Sequence, residues 1–164
     1  TGYSDEQISE IKKAASQIPV FFSWNMSLGI NLLVELAKKA TAILGDKFDI
    51  EIVEKHHNQK IDAPSGTALM IANAINETRN NEMNYVYDRH SQRKKREDNE
   101  IGIHSVRGGT IVGVHEVLFA GNDETITISH SAASKTVFAE GSVNAAIFIK
   151  NKEAGLYDMN SIIG

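Results

Sequence analysis

The chain has 164 residues, of which 41% are hydrophobic and 23% are charged, a composition typical of one globular domain. It contains no cysteine, which excludes disulfides and thiolate metal sites and favours a reducing compartment such as the cytosol. The formal net charge of −4 argues against a surface that binds polyanions. No segment reaches the roughly 18 uncharged apolar residues of a membrane span. We therefore expect a cytoplasmic protein that binds neither nucleic acid nor membrane.

The first part of the chain predicts two helices and two strands. The residues Ser4-Asp5-Glu6-Gln7 have the pattern of a capping box, and the helix that they begin ends before a short apolar strand at residues 19–22. A strongly apolar second helix is expected from Ser27 to Leu44, with Gly45 as its left-handed terminator. Hydrophobic and polar residues then alternate over residues 48–57, as they do in a strand.

The middle of the chain predicts a third helix and a long loop. Pro64 stands where the helix begins, and apolar residues recur at helical spacing from Ala68 to Ile75. Residues 79–100 show little periodicity, and most of this span is interpreted as loop. The basic run at residues 93–96 is followed at once by two acidic residues, which favours a solvated loop over a nucleic-acid-binding patch.

The last part predicts three strands and a final helix. The strands are expected at residues 101–107, 110–120 and 124–131. Gly108-Gly109 is typical of a two-residue hairpin turn, so the first two of these strands are expected to pair. Ser134 is expected to cap the final helix, which Gly141 weakens by about 1 kcal/mol relative to alanine. Residues 156–159 are assigned to a tail.

This order of elements predicts an α+β domain that occupies residues 1–164. We expect a mixed, mostly antiparallel sheet of about four main strands with helices on one face. The other face carries valine, isoleucine and leucine as well as threonine. We expect another subunit to cover it, and therefore a homo-oligomer.

The residues that can carry chemistry are concentrated between Glu54 and Ala68. A strand end delivers two imidazoles, a short loop delivers the Lys60 ammonium, and a helix begins directly afterwards. The amides at the start of a helix, together with hydroxyl groups, form an anion site. A histidine that titrates near neutral pH can pass a proton to a ligand held there. The candidate residues for a small carboxylate substrate are His56, His57, Lys60, Ser65, Gly66 and Thr67.

Simpler interpretations exist for the same residues. Ser65-Gly66-Thr67 can merely cap a helix, Lys60 can be solvated, and the histidines can fill a strand end. Zinc binding would need further ligands such as His104, His115 and His130. However, no pair of histidines is spaced i,i+4 on a helix and a lysine stands beside the adjacent pair, so we expect no metal.

The string E-x-H-H-x-x-K-x-D-x-P-S-G-T-A, from Glu54 to Ala68, is similar to the signature of the dihydrodipicolinate reductases, also called 4-hydroxy-tetrahydrodipicolinate reductases. The resemblance extends along nearly the whole chain. Thr1-Gly2 resembles the end of a family segment, and further matching segments are residues 25–31, 106–109, 112–115, 128–134 and 155–159.

The resemblance implies a reaction in which NADH or NADPH reduces a cyclic dipicolinate precursor, on the pathway to diaminopimelate and lysine. It implies that His56 handles a proton and that Lys60 donates a proton and holds the substrate. His57, Gly66 and Thr67 would bind the substrate carboxylates, with Ser65 beside them. Near the nicotinamide the resemblance places Thr1, Ser23, Trp24, Asn25 and Met26.

The resemblance also implies what lies outside this chain. Family members carry an N-terminal dinucleotide-binding domain with a G-x-G-x-x-G turn, and no such turn occurs here. We expect the chain to be a C-terminal domain, either excised or a proteolytic product, that alone neither turns over substrate nor holds NADPH tightly, yet still assembles as the family's homotetramers do. Trp24 stands where the family has a small residue or proline, and Lys135 stands where it often has arginine.

Two other functions fit the same residues. A non-catalytic, oligomeric carboxylate-binding module would use the anion site without chemistry. A related two-domain dehydrogenase of amino-acid metabolism would share the architecture, although the grouping of two histidines, a lysine and Ser-Gly-Thr argues against it.

Overall fold

The structure is a computed structural model that describes residues 3–164, and it divides into two compact units. One unit comprises the residues up to Asn31 together with Lys135–Gly164, and the other comprises Leu32–Ser134. Each unit contains a sheet and helical segments, which confirms the α+β class. Thr1, expected near the cofactor, lies outside the described residues.

The elements follow one another in chain order. The helices are α1 (Asp5–Ala14), α2 (Leu28–Leu44), α3 (Gly66–Thr78), α4 (Thr136–Ile149) and α5 (Asn160–Ile163), with a 3-10 turn at Gly45–Lys47. The strands are β1 (Pro19–Phe21), β2 (Asp49–His56), β3 (Asn84–Val86), β4 (Glu100–Arg107), β5 (Gly113–Ala120), β6 (Thr125–Ala132) and β7 (Gly155–Tyr157). No helix within residues 3–164 is long and apolar enough to cross a lipid bilayer.

The five-stranded sheet of the larger unit has the order β3-β4-β2-β5-β6. The β3–β4 and β4–β2 pairs are parallel, whereas the β2–β5 and β5–β6 pairs are antiparallel. The prediction of a mixed, mostly antiparallel sheet of about four main strands is confirmed, because the four long strands form two antiparallel pairs, β2–β5 and β5–β6, and one parallel pair, β2–β4. The predicted hairpin between β4 and β5 was wrong, because β2 lies between them. The Gly108-Gly109 turn instead crosses the end of β2.

Alternation along the strands separates a covered face of this sheet from an open one. Ile50, Ile52, Glu54 and His56 are the buried residues of β2. The apolar residues of the covered face pack with those of α2 and α3 into one core, formed by Leu33, Val34, Ala37, Ile50, Ile52, Ala68, Ile71, Ala72, Ile75, Met83, Ile101, Ile103, Val117 and Phe119. The prediction that helices cover one face is thus confirmed for α2 and α3.

The smaller unit has a two-stranded parallel sheet of β1 and β7. The ring of Phe148 lies between those of Phe21 and Tyr157, with centroids 6.3 and 5.9 Å apart. Residues 156–159, predicted to be a tail, therefore include a paired strand. A Cβ at Gly141 would overlap the backbone carbonyl oxygen of Met26, so the glycine in α4 permits a close approach of two backbone segments.

The helix ends test the predicted boundaries. The capping box at Ser4 and Gln7 is confirmed, with both reciprocal hydrogen bonds present. Gly45 has a φ of 60°, as expected of a left-handed terminator. The expected cap at Ser134 was wrong, because α4 begins one residue later and its N-cap is Lys135, without a side-chain cap.

Residues 79–100 were predicted to be mostly loop, but they contain a short strand and an arginine that forms two ion pairs. The strand is β3, which pairs with β4 at the sheet edge. The Arg96 side chain is only 18% exposed and binds Asp49 and Glu51 at 2.8 and 3.1 Å. At Arg96, therefore, the expectation of a solvated basic loop was wrong, because two carboxylates of β2 attract its guanidinium.

Candidate active site

The carboxylate of Glu54 occupies the centre of the candidate site. Glu54 lies on the covered face of β2, and none of its surface is exposed. Its Oε1 accepts hydrogen bonds from Arg107 Nη2 at 2.6 Å and from the backbone N–H of Ser65 at 3.0 Å. Its Oε2 lies 2.8 Å from Arg107 Nη1 and 2.6 Å from Nδ1 of His56. These four contacts match the four lone-pair positions that a carboxylate offers.

His56 is held on both sides. It is the last residue of β2 and only 8% exposed. With Nδ1 bound to Glu54, its Nε2 points towards Gly113 of β5, where a Cβ would lie 3.2 Å away. The ring of His115 meets that of His56 edge-on, with centroids 5.2 Å apart. The imidazole therefore has one nitrogen fixed by Glu54 and one nitrogen beside a glycine, where a side chain would approach it closely.

Ser65 joins this network to the start of α3. It is the N-cap of the helix, and its Oγ accepts a hydrogen bond from the N–H of Ala68 at 3.2 Å. The same oxygen lies 3.1 Å from Nε2 of His115. Gly66, the first helical residue, is exposed, and a Cβ there would meet nothing within 4 Å. The helix start that can receive an anion is thus fixed to the same carboxylate as His56.

The loop after β2 is fixed by the same arginine. Arg107 Nη2 donates to the backbone carbonyl of Asp62 at 2.7 Å, and the Asp62 carboxylate lies 2.8 Å from the Lys60 ammonium. The turn after β4 also contributes, because the N–H of Gly108 donates to the carbonyl of His56 at 2.9 Å. Hydrogen bonds to Arg107 and Glu54 therefore connect the Lys60 loop, the end of β2 and the start of α3.

The environment keeps Glu54 ionised. Burial alone would raise its pKa, but hydrogen bonds from Arg107, then from His56, Ser105 and the Ser65 amide, lower the pKa to about 2. A bidentate pair with arginine is among the strongest ways to stabilise a carboxylate. The carboxylate can therefore only accept hydrogen bonds at any pH at which the protein is studied.

The environment keeps His115 neutral. Its burial, followed by the nearby charge of His56, lowers its pKa to about 4, although Glu54 acts in the opposite direction. Its Nδ1 is buried and has no hydrogen-bond partner among residues 3–164. A protonated ring would need a partner there, which agrees with the direction of the shift.

The structure brings some of the predicted residues together and leaves others apart. His56, Ser65 and the start of α3 share the Glu54 network, and the Lys60 loop is attached to it through Arg107. His57 follows the end of β2 and is half-buried, and the imidazole in contact with the His56 ring is that of His115. The imidazole pair that the structure shows in contact is therefore a cross-strand pair, and the role of His57 in substrate binding stays a prediction.

The residues expected near the nicotinamide belong to the smaller unit. The Ser23 hydroxyl donates to the carbonyl of Asn25 at 3.1 Å, and the Asn25 side chain accepts from the N–H of Ser27 at 2.8 Å. Trp24 is 73% exposed and its ring lies 5.9 Å from that of Phe22. Met26 is half-buried behind them.

Three residues of the site were not among the predicted site residues, although they lie in segments that carry the resemblance: Arg107, Gly113 and His115. The pairing of β2 with its neighbours would have identified two of them, since Arg107 pairs with His56 and His115 pairs with Glu54. The sequence analysis did not find this pairing, because it expected β4 and β5 to pair with each other. Among residues 3–164 no group of three histidine, aspartate or glutamate side chains is arranged to hold a metal ion.

Most of the chain matches a known protein family. Residues 29–163 match the family model described as dihydrodipicolinate reductase, C-terminus. Proteins named 4-hydroxy-tetrahydrodipicolinate reductase are 55% identical in Caldanaerobacter subterraneus subsp. tengcongensis, over 99% of this chain and 64% of that protein, and 52% identical in Clostridium botulinum, over 100% and 65%. The chain thus spans less than two thirds of the length of these curated relatives.

A solved structure is similar over the full chain. It is a dipicolinate-bound dihydrodipicolinate reductase from Paenisporosarcina sp. TG-14, with a TM-score of 0.76 and 29% identity, and the match covers 100% of this chain and 62% of that one. The resemblance found in the sequence is thereby confirmed at the level of the family.

The pKa of His115 predicts a loss of stability in mild acid. The folded chain holds this ring neutral down to about pH 4, whereas the unfolded chain protonates it near the usual pKa of 6.5. Protons are therefore taken up on unfolding between these values, so the stabilisation is complete above pH 6.5 and is lost as the pH falls towards 4. The pKa difference corresponds to roughly 3 kcal/mol.

Urea unfolding at pH 7 and at pH 4 measures this effect in the wild type and in His115→Gln. We expect the variant to lose less stability than the wild type on acidification, whatever its stability at pH 7. His90→Gln, a change at an exposed histidine, is the matched control and should keep the wild-type difference. An equal loss of stability on acidification in His115→Gln and the wild type would contradict the conclusion that His115 causes this pH dependence.

Proposed function

Because the chain belongs to the dihydrodipicolinate reductase family and matches its C-terminal part, we propose that it is the substrate-binding and catalytic part of a 4-hydroxy-tetrahydrodipicolinate reductase. The whole protein would reduce 4-hydroxy-tetrahydrodipicolinate to tetrahydrodipicolinate, on the route to diaminopimelate and lysine in the cytosol. The observation that carries the proposal is that one carboxylate, Glu54, binds both His56 and the amide of Ser65 at the start of α3.

The substrate is a small dicarboxylate, and the start of α3 supports its recognition. The first amides of a helix lack intrahelical acceptors, and the helix dipole adds a positive potential there. One substrate carboxylate lies against Gly66 and Thr67, where Gly66 leaves open space for a close approach. Ser65, already bound within the network, orients the helix start. Lys60 and His57 supply further donors for the negative charge.

The reduction adds a hydride and a proton and releases water from the hydroxylated ring. His56 is the group that handles a proton, because its Nδ1 is held by Glu54 and its Nε2 is directed into the space beside Gly113. Lys60 is the second donor, and its ammonium forms an ion pair with the Asp62 carboxylate at 2.8 Å. His115, kept neutral beside His56, avoids adding a second positive charge to the site.

The nicotinamide cofactor fits this chain only at one end. Within residues 3–164 no glycine-rich turn links a strand to a helix, so these residues do not fit a pyrophosphate. Ser23, Trp24, Asn25 and Met26 would hold the nicotinamide end, since the exposed Trp24 ring offers an aromatic surface for stacking. NADH or NADPH, when bound, supplies the hydride.

The open face of the large sheet supports a homo-oligomer, and we assign it a tetramer interface. Val53, Val114, Leu118 and Ala120 are half-buried on this face, and the β6 residues beside them are Thr125, Thr127, Ser129 and Ser131. A second copy of the sheet can cover these small and apolar side chains, which water would otherwise contact.

Binding of pyridine-2,6-dicarboxylate, a planar analogue of the substrate, tests the proposed function. We expect Lys60→Ala to weaken the binding by roughly 10- to 100-fold, because a charge-assisted hydrogen bond contributes about 1.5–3 kcal/mol. Gly66→Ala should also weaken it, since a methyl group enters the open space at the helix start, while the unfolding free energy stays equal or rises.

Isothermal titration calorimetry on the 164-residue chain measures both effects. Lys39→Ala, which removes an exposed lysine of α2, is the control and should bind as the wild type does. Undiminished binding in both site variants, or no binding by the wild-type chain at millimolar concentration, would contradict the proposed site.

Light scattering tests the proposed interface. Thr127 is exposed near the middle of the open face, opposite Leu118 of β5. Thr127→Arg should shift the chain towards the monomer, because a guanidinium would be buried without a partner. Glu77→Arg, on the exposed side of α3, is the matched control and should leave the mass unchanged. A wild-type chain that is monomeric at all working concentrations would refute the interface.

A further inference from the structure

The contact between Glu54 and His56 determines more than the orientation of a ring. A neutral imidazole carries its proton on one nitrogen only, and the other nitrogen is an acceptor. Nδ1 of His56 lies 2.6 Å from Oε2 of Glu54, and the Glu54 carboxylate is fully buried. What the ring can do for a ligand therefore depends on which partner of this contact holds the proton.

The surroundings of the carboxylate decide this. Arg107 donates to both of its oxygens, at 2.6 and 2.8 Å, and the Ser65 amide donates to Oε1 at 3.0 Å. Three donors already surround the group, and they hold its pKa near 2 against the effect of burial. A carboxylate in this state only accepts hydrogen bonds, so the proton between it and His56 belongs to Nδ1.

We propose that Glu54 is a positioning residue that holds His56 with a proton on Nδ1, so that Nε2 is the nitrogen that exchanges protons with the ligand. A Cβ at Gly113 of β5 would lie 3.2 Å from Nε2, and the glycine leaves that position empty. The role of Nε2 towards a substrate rests on the function proposed above, whereas the tautomer does not.

The alternative tautomer has a specific physical cost here. With the proton on Nε2, the lone pair of Nδ1 would face the Glu54 carboxylate at 2.6 Å, and two acceptors would meet without a hydrogen. His115 cannot compensate, because its Nε2 is directed to the Ser65 hydroxyl at 3.1 Å and not to His56. The geometry therefore favours a single tautomer of His56.

Long-range ¹H–¹⁵N NMR of the histidine rings tests the proposal in the 164-residue chain at a pH at which the His56 ring is neutral. We expect the Nδ1 resonance of wild-type His56 to be that of a protonated nitrogen and the Nε2 resonance that of an unprotonated one. A coupling across the hydrogen bond between His56 Nδ1 and the Glu54 carboxyl carbon should also be present. The His56→Gln spectrum assigns the signals, and exposed His90 is the internal reference.

Two variants separate the carboxylate from its neighbours. In Glu54→Gln the side-chain NH2 group is expected to face His56, because Oε1 accepts from two donors, Arg107 Nη2 and the Ser65 amide, whereas Oε2 accepts from one donor, Arg107 Nη1, besides His56. Nδ1 should then lose its proton and its resonance should move to the unprotonated range. Arg107→Lys keeps the Glu54 charge and should leave His56 protonated on Nδ1.

The outcomes are distinct. A wild-type ring protonated on Nε2, or a folded Glu54→Gln variant with an unchanged tautomer, would overturn the proposal. If Glu54→Gln does not fold, the coupling in the wild type decides, and its absence in a well-resolved spectrum would count against Glu54. Failure of the dicarboxylate to bind, with the tautomer as expected, would contradict the proposed function and leave the positioning role intact.

Discussion

The buried carboxylate of Glu54 is the interaction on which the candidate site depends. Removing an unpaired charge from water costs several kcal/mol, so a carboxylate with no exposed surface persists only if donors surround it. Glu54 has four, supplied by Arg107, Ser65 and His56. The three residues lie in different segments, so one electrostatic requirement fixes the end of β2, the end of β4 and the start of α3 together.

The strand order explains how these segments meet. β2 lies in the middle of the sheet, with β4 parallel on one side and β5 antiparallel on the other. Arg107 therefore reaches Glu54 from one neighbour while His115 and Gly113 line the other side of His56. Because β2 and β4 are parallel, the turn after β4 and the Lys60 loop lie at the same end of the sheet. Contacts from Arg107 and from this turn help to fix the loop.

Much of this could be predicted from local patterns. The capping box at Ser4, the apolar helix ending at Gly45 and the alternation of β2 depend on neighbouring residues alone, and each is present. The cluster from Glu54 to Ala68 also carried the resemblance to the family that the comparisons confirm, since its residue types lie close together along the chain. These features are set by interactions over a few residues, which a sequence displays directly.

The missed features depend on long-range pairing. Gly108-Gly109 resembles a hairpin turn, but nothing near it in the chain indicates that β2 occupies the space between β4 and β5. β3 and β7 are three residues long and acquire their conformation from partner strands. The roles of Arg107 and His115 were missed for the same reason, because both depend on how β4 and β5 pair with β2.

In the proposed function, the imidazole of His56 and the helix start at Gly66 bind the same small ligand because Glu54 holds both. A crystal of this chain soaked with pyridine-2,6-dicarboxylate tests that most directly. We expect one carboxylate of the ligand within hydrogen-bond distance of the α3 amides and of Lys60, with the pyridine ring beside Nε2 of His56. Dicarboxylate bound elsewhere on the chain, with this site empty at saturating concentration, would contradict it.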